Sequence, residues 1–172
     1  MQTSVVLKSR VQTRAIKLQF DPREDDDEAP TPPKTKKMEK TFIMLKPDAL
    51  ERGLVGEIIA RFERKGLRPK RFLWKVASRE LARRHYESLE AQPYFQELVA
   101  YMTRGPVLAS IWTGENAVKI ARKIVGATNP LEAAPGTIRG DFAFDYTENL
   151  VHASDSQEAA EREIRLFFEN DA

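Results

Sequence analysis

The sequence predicts one α+β domain, a four-stranded antiparallel sheet with helices packed on it, preceded by an extension. Three observations point there. TFIMLK (41–46) and PVLASIW (106–112) are short, continuous apolar runs, the pattern of fully buried strands. Between and after them, apolar residues recur at helical spacing. The segments also follow one another as strand–helix–strand, then helices, then strand–helix–strand, an order that suggests a ferredoxin-like sheet with its helices on one face.

The elements follow in order. TFIMLK is stopped by Pro47, as expected for a strand end. Val55, Ile58, Ile59 and Phe62 share one helical face, and Gly66 closes that helix. Phe72, Trp74 and Val76 alternate with Arg71, Leu73 and Lys75, which reads as a half-buried strand. Ser78 is placed to cap a helix running to about Glu90, and 94–103 reads as another. PVLASIW is the third strand. A helix over 115–125 turns Val118, Ile120, Ala121, Ile124 and Val125 inward and ends at Gly126. Residues 126–140 read as irregular, and NLVHA (149–153) as a short strand. Asp155 or Ser156 caps a final helix through Phe168, with Glu158 favourable in its first turn.

Composition bounds the rest. A chain of 172 residues suits one domain with a tail. The absence of cysteine excludes disulfides, thiolate metal sites and cysteine nucleophiles. Two histidines, His85 and His152, cannot build a His-rich metal site. No apolar run approaches the roughly 20 residues of a membrane span, so a soluble protein is expected. Residues 1–37 hold eight Lys/Arg and six acids, which leaves 20 of each in residues 38–172. A neutral body argues against a non-specific nucleic-acid binder.

Residues 21–37, with an acidic run, prolines and a basic run, read as a linker, so 1–37 is an expected disordered extension and 38–172 the domain. Residues 1–20 have four basic residues and no acid. That composition fits an organellar transit peptide, an ordinary tail, or a stretch upstream of a start at Met38. A cytoplasmic location is expected, or an organellar one on the first of these readings.

Neither a G-x-G-x-x-G nor a G-x-x-x-x-G-K-[ST] fingerprint occurs, so any phosphate is handled without a glycine cradle. His152 is the most informative residue. It closes a short apolar strand just before a helix start, and a neutral imidazole is a nucleophile near pH 7 without metal activation. His85, in ARRHYESLE, reads as part of a solvated helix surface.

Six runs together resemble the nucleoside diphosphate kinase family: KTFIMLKPDAL (40–50), RGLVGEII (52–59), GPVLASIW (105–112), GATNP (126–130), PGTIRGDF (135–142) and NLVHASDS (149–156). The resemblance implies a ping-pong transfer of the γ-phosphate of a nucleoside triphosphate to a diphosphate, through a phosphohistidine at His152. It places Lys46 on the transferring phosphate, Arg122, Arg139 and Thr128 on the diphosphate, and Tyr86 beside the imidazole. Asn149 is placed on the sugar 3′-hydroxyl, with Ser154 and Glu163 behind His152 and Tyr94 stacking on the base. Mg²⁺ is implied on the nucleotide phosphates, with no protein metal site.

Two departures stand out. Ala153 replaces the family's usual glycine, harmless unless φ is positive, where it would cost about 1 kcal/mol; a negative φ is expected. Tyr146 stands where many members carry a smaller aliphatic. The competing readings are a catalytically idle homologue serving as an interaction scaffold, and an RNA-binding module. Phe72, Trp74 and the adjacent Phe167 and Phe168 predict aromatic surface beyond the needs of one domain. The resemblance implies hexamers or tetramers that share one dimer; with this surface, a homo-oligomer built on a two-fold dimer is expected, a hexamer foremost and a tetramer or dimer otherwise.

Overall fold

Strand β1 (Met38–Leu45) is the axis of the fold, with every residue from Thr41 to Leu45 buried. The structure is a computed structural model and describes residues 37–169; the extension, linker and transit-peptide readings fall on residues 1–37 and, but for Lys37, lie outside them. β1 pairs antiparallel with β3 (Pro106–Glu115) on one side and β4 (Val151–Ala153) on the other. β2 (Arg68–Val76) lies outside β3, giving the order β2-β3-β1-β4 of a ferredoxin-like sheet.

Alternation along β1 sends its side chains into two separate layers. Phe42 and Met44 pack with α3 (Arg79–His85), α4 (Phe95–Thr103) and α7 (Gln157–Phe168). Ile43 and Leu45 pack with α1 (Pro47–Glu51), α2 (Val55–Arg64), α5 (Ala117–Val125) and α6 (Ile138–Phe142). The expectation of helices on one face is thus corrected: both faces are covered. The cause is in the strands themselves, because continuously apolar β1 and β3 leave neither face fit for water.

Several boundaries differ from the sequence reading. β1 begins at Met38 rather than Thr41, and β3 runs on to Glu115, ending at Asn116 in a left-handed turn with φ of 50°. Pro47 stops the strand and also starts α1, where its missing N–H costs nothing. The helix capped by Ser78 is shorter than expected, closing at His85 before a 3₁₀ turn at Glu87–Leu89. The stretch 126–140, read as irregular, contains the start of α6, capped by the Thr137 hydroxyl. At the last helix, Ser156 is the cap, accepting from the Ala159 amide at 3.0 Å.

The apolar alternation on β2 also needs correcting. Phe72, Trp74 and Val76 are 44, 59 and 61% exposed, whereas Leu73 packs on the core. β2 is an edge strand, and the α2–α5 layer does not reach that far out. Phe167 and Phe168, expected to add to a surplus aromatic surface, are both buried in the same layer.

Candidate active site

The β4 edge of the sheet opens into a cleft of about 410 Å³. Lys46, Tyr86, Tyr94, Arg122, Thr128, Arg139, Asn149, His152 and Glu163 all line it. Of the residues singled out from sequence, only Ser154 stands behind the wall, and it is fully buried.

The position of His152 is set by what precedes it. Leu150 is buried with φ of 71°, a conformation that costs a non-glycine residue about 1–2 kcal/mol. Both of its peptide groups are held by one short segment: the Lys46 amide donates to its carbonyl at 2.9 Å, and its own amide donates to Asp48 Oδ2 at 3.1 Å. Asp48 is in turn fixed by the Tyr101 hydroxyl. That bond and burial push the Tyr101 phenol well above its usual range, so it stays a donor. The strain at Leu150 thus turns the chain into β4, where His152 sits opposite Met44. Ala153 continues the strand and is absent from the positive-φ residues, so the replaced glycine carries no penalty.

The imidazole of His152 is held from behind. Its Nε2 lies 3.0 Å from Glu163 Oε1, and a carboxylate can only accept there, so Nε2 carries the proton. Nδ1 then keeps its lone pair. Ser154 Oγ donates to the other carboxylate oxygen at 2.6 Å, and Arg162 lies 3.6 Å from Oε1. Glu163 itself is buried, so its orientation is not left to solvent.

Three cations converge in front. Lys46 Nζ donates to Asn149 Oδ1 at 2.8 Å and to the Thr147 carbonyl at 3.3 Å. Burial, with Arg139 nearby, draws its pKa down to about 7. Arg139 is buried and spends four of its five N–H donors within the chain: Nε on the Asn149 carbonyl, Nη1 on Gly126, and Nη2 on Val151 and on Asn149 Oδ1. Its pKa falls to about 10, from burial first and then from Arg122. Arg122 is looser, with one long bond of 3.5 Å to the Ala153 carbonyl.

The loop that delivers Arg139 is tightly packed. A Cβ on Gly140 would meet the Ala134 carbonyl oxygen at 2.2 Å, so only glycine fits beside it. Arg61 clamps the same turn, bonding Asp141 at 2.6 Å and lying over the Phe142 ring. Asn149 ties this loop to the cations: its Nδ2 donates to the carbonyls of Tyr146 at 2.7 Å and Thr128 at 3.2 Å. A sugar hydroxyl at Asn149 would therefore share Oδ1 with Lys46. Tyr94 and Tyr146, 36 and 54% exposed, stand at the cleft mouth.

His85 is where the sequence reading fails. It is buried, not solvated, and its ring meets that of His152 edge-on with centroids 4.5 Å apart. Tyr86 lies beyond it, 4.6 Å from the His85 ring. Burial first, and then His152, Arg162 and Lys46, hold the His85 pKa well below the usual imidazole range, so it is neutral. Neither of its nitrogens has a hydrogen-bond partner among the described residues. Its spacing carried the missed signal: Ala82, His85, Tyr86 and Leu89 fall at i, i+3, i+4 and i+7, an inward face. Asp48 and Tyr101 were missed too, and nothing local marks either of them.

A wider groove of about 790 Å³ adjoins the cleft and shares Arg122 and Asp155 with it, but has no histidine on its lining. The cleft is the more chemically equipped of the two: it holds a half-buried imidazole with a fixed tautomer, together with three basic side chains.

Residues 39–172 match the family described as nucleoside diphosphate kinase. The chain is 57% identical over 136 residues to a nucleoside diphosphate kinase of Archaeoglobus fulgidus, covering 78% of this chain and 89% of that one. It is 54% identical over 131 residues to nucleoside diphosphate kinase B of Flaveria bidentis, covering 76% and 88% respectively. Among solved structures, the halophilic nucleoside diphosphate kinase of Halobacterium salinarum in complex with CDP superimposes with a TM-score of 0.76. It is 46% identical, with 78% of this chain and 90% of that one covered.

Proposed function

The chain belongs to the nucleoside diphosphate kinase family and is a phosphotransferase of that activity, and from this we propose that His152 carries the phosphoryl group between nucleotides. Nδ1 of His152 attacks the γ-phosphorus of a nucleoside triphosphate in line. The Nδ1–P bond forms, the bond to the bridging oxygen breaks, and the diphosphate leaves with the electron pair. A second diphosphate reverses the step from the other side. The observation that carries this reading is the 3.0 Å bond from His152 Nε2 to Glu163, which leaves Nδ1 the nucleophilic nitrogen.

The remaining residues position and neutralise. Lys46 and the Arg122 fork meet the phosphates, with Thr128 adding a hydroxyl and Arg139 its remaining N–H. Such preorganised donors are worth most against charge that develops in the transition state. Asn149 sets the sugar and Tyr94 the base, a stacking contact that accepts any base. Tyr86 backs the His85–His152 ring pair. Mg²⁺ fits as a companion of the nucleotide, because it takes oxygen ligands and the carboxylate beside the nucleophile, Glu163, is grouped with two imidazoles rather than with further carboxylates. When bound it would neutralise phosphate charge.

The enzyme acts as a homo-oligomer in this reading, with a two-fold dimer as its unit and a hexamer as the favoured assembly. The exposed Phe72, Trp74 and Val76 on edge strand β2 support it, since an unpaired apolar edge is a template for a second chain.

Incubation with γ-labelled ATP tests the central claim. Acid-labile, base-stable label is expected on the wild-type chain and none on His152→Ala, with nucleotide binding retained. Labelling of that variant at the wild-type rate would sink the assignment.

A further inference from the structure

The buried imidazole of His85 has no role in the transfer just described, and both its nitrogens lack partners among the described residues. Its available donor atom, one from His152 and one from Glu163 all lie within 4.8 Å of one another. We propose that His85, His152 and Glu163 form a binding site for a borderline divalent transition metal such as Zn²⁺, and that an ion held there stops phosphoryl transfer.

The donor set suits that class of ion. Two imidazoles and a carboxylate are the ligands of open, four-coordinate zinc sites, with the last position left to water. Mg²⁺ prefers oxygen donors and keeps its waters, so the working metal does not compete here. The geometry needs little adjustment. Tetrahedral coordination with bonds of about 2.0–2.1 Å sets donors about 3.3 Å apart, against 3.0 Å between His152 Nε2 and Glu163 Oε1. The more distant donor has to draw in by about 1.5 Å at most. Both nitrogens of His85 are unpartnered among the described residues and Glu163 is oriented by Ser154 through its other oxygen, so two of the three ligands are ready. The cleft reaches all three residues and gives the ion a way in.

Inhibition follows from proton accounting. The metal takes the Nε2 lone pair in place of the proton, and the displaced proton moves to Nδ1. The imidazole stays neutral, but the nitrogen that attacks phosphorus now carries hydrogen. This consequence, though not the binding, rests on His152 being the nucleophile.

The chain has only two histidines, so its imidazole NMR signals report on this site alone. Titration of the full chain with Zn²⁺, without nucleotide, should shift both sets of ring signals together to a one-to-one end point that EDTA reverses. Movement of His152 alone, or of neither, overturns the site. His85→Phe keeps the ring bulk and removes the donor. Measured at buffered free Zn²⁺ against its own zinc-free rate, this variant should need at least about tenfold more metal for half-inhibition. Equal sensitivity would overturn the proposal. The zinc-free, Mg²⁺-supported rate of the wild type reports on the transfer reading separately.

Discussion

Glu163 grips two residues of one stretch of chain at once, His152 on β4 at 3.0 Å through Oε1 and Ser154, just past the strand's end, at 2.6 Å through Oε2. The second bond aims the carboxylate so that the first can select the tautomer. Glu163→Gln should therefore lower kcat by about 100-fold with little change in KM, since the amide no longer enforces a proton on Nε2. Stopped-flow labelling of the chain by ATP reads this step directly. A variant with normal kcat would show that Glu163 serves only packing.

Arg122 and Arg139 should separate under mutation. Arg122 makes one long bond to the fold, so Arg122→Ala should cost about 2–4 kcal/mol in kcat/KM and little stability. Arg139 holds the carbonyls of Gly126, Asn149 and Val151, so Arg139→Ala should also lose about 2 kcal/mol or more of folding stability. Urea denaturation beside steady-state kinetics distinguishes the two. Equal stability losses would contradict the assignment of Arg139 as a structural clamp.

Lys46 should give folding a pH dependence. Its pKa is about 7 folded against 10.5 unfolded, so between these values the unfolded chain binds more protons. Stability from this group accordingly rises with pH from about 7 towards 10.5 and is least below about 7, a swing on the order of a few kcal/mol. Lys46→Met should flatten that rise. Its stability advantage over the wild type should be larger at about pH 6 than at about pH 9. Chemical denaturation at the two values checks it, and an identical difference at both would refute the burial argument.

If β2 forms the proposed homo-oligomer's interface, Trp74→Glu should break that assembly. A carboxylate on the exposed apolar face of β2 would be desolvated at any interface formed there. Light scattering should show the variant nearer the 19.7 kDa of one chain, with its circular dichroism unchanged. Retention of the wild-type mass would move the interface elsewhere.

How far the sequence discloses this architecture depends on the range of each signal. His152 stands out because an apolar strand, a helix cap and a lone imidazole coincide within a few residues. The continuous apolar run of β1 also shows that it is buried, and the same run implies that both of its faces need cover. His85 is masked by Arg83, Arg84 and Glu87, whose charges make its helix look solvated although the i, i+3, i+4 face is inward. On β2 the alternation identifies an apolar face but not where the covering helices stop. The Asp48–Leu150 bond spans 102 residues, and no local pattern announces it.

The strand order β2-β3-β1-β4 has a kinetic consequence. The cleft lies against one border of the sheet and the exposed aromatic strip along the other, three strand spacings or about 14 Å away. Subunits joined through β2 would each own a complete set of reacting groups, with nothing lent across the junction. Saturation curves should then be hyperbolic, without sigmoidal character. A mixed assembly containing inactive His152→Ala subunits should lose turnover in strict proportion to their fraction, so that each chain in the ensemble works as an independent engine.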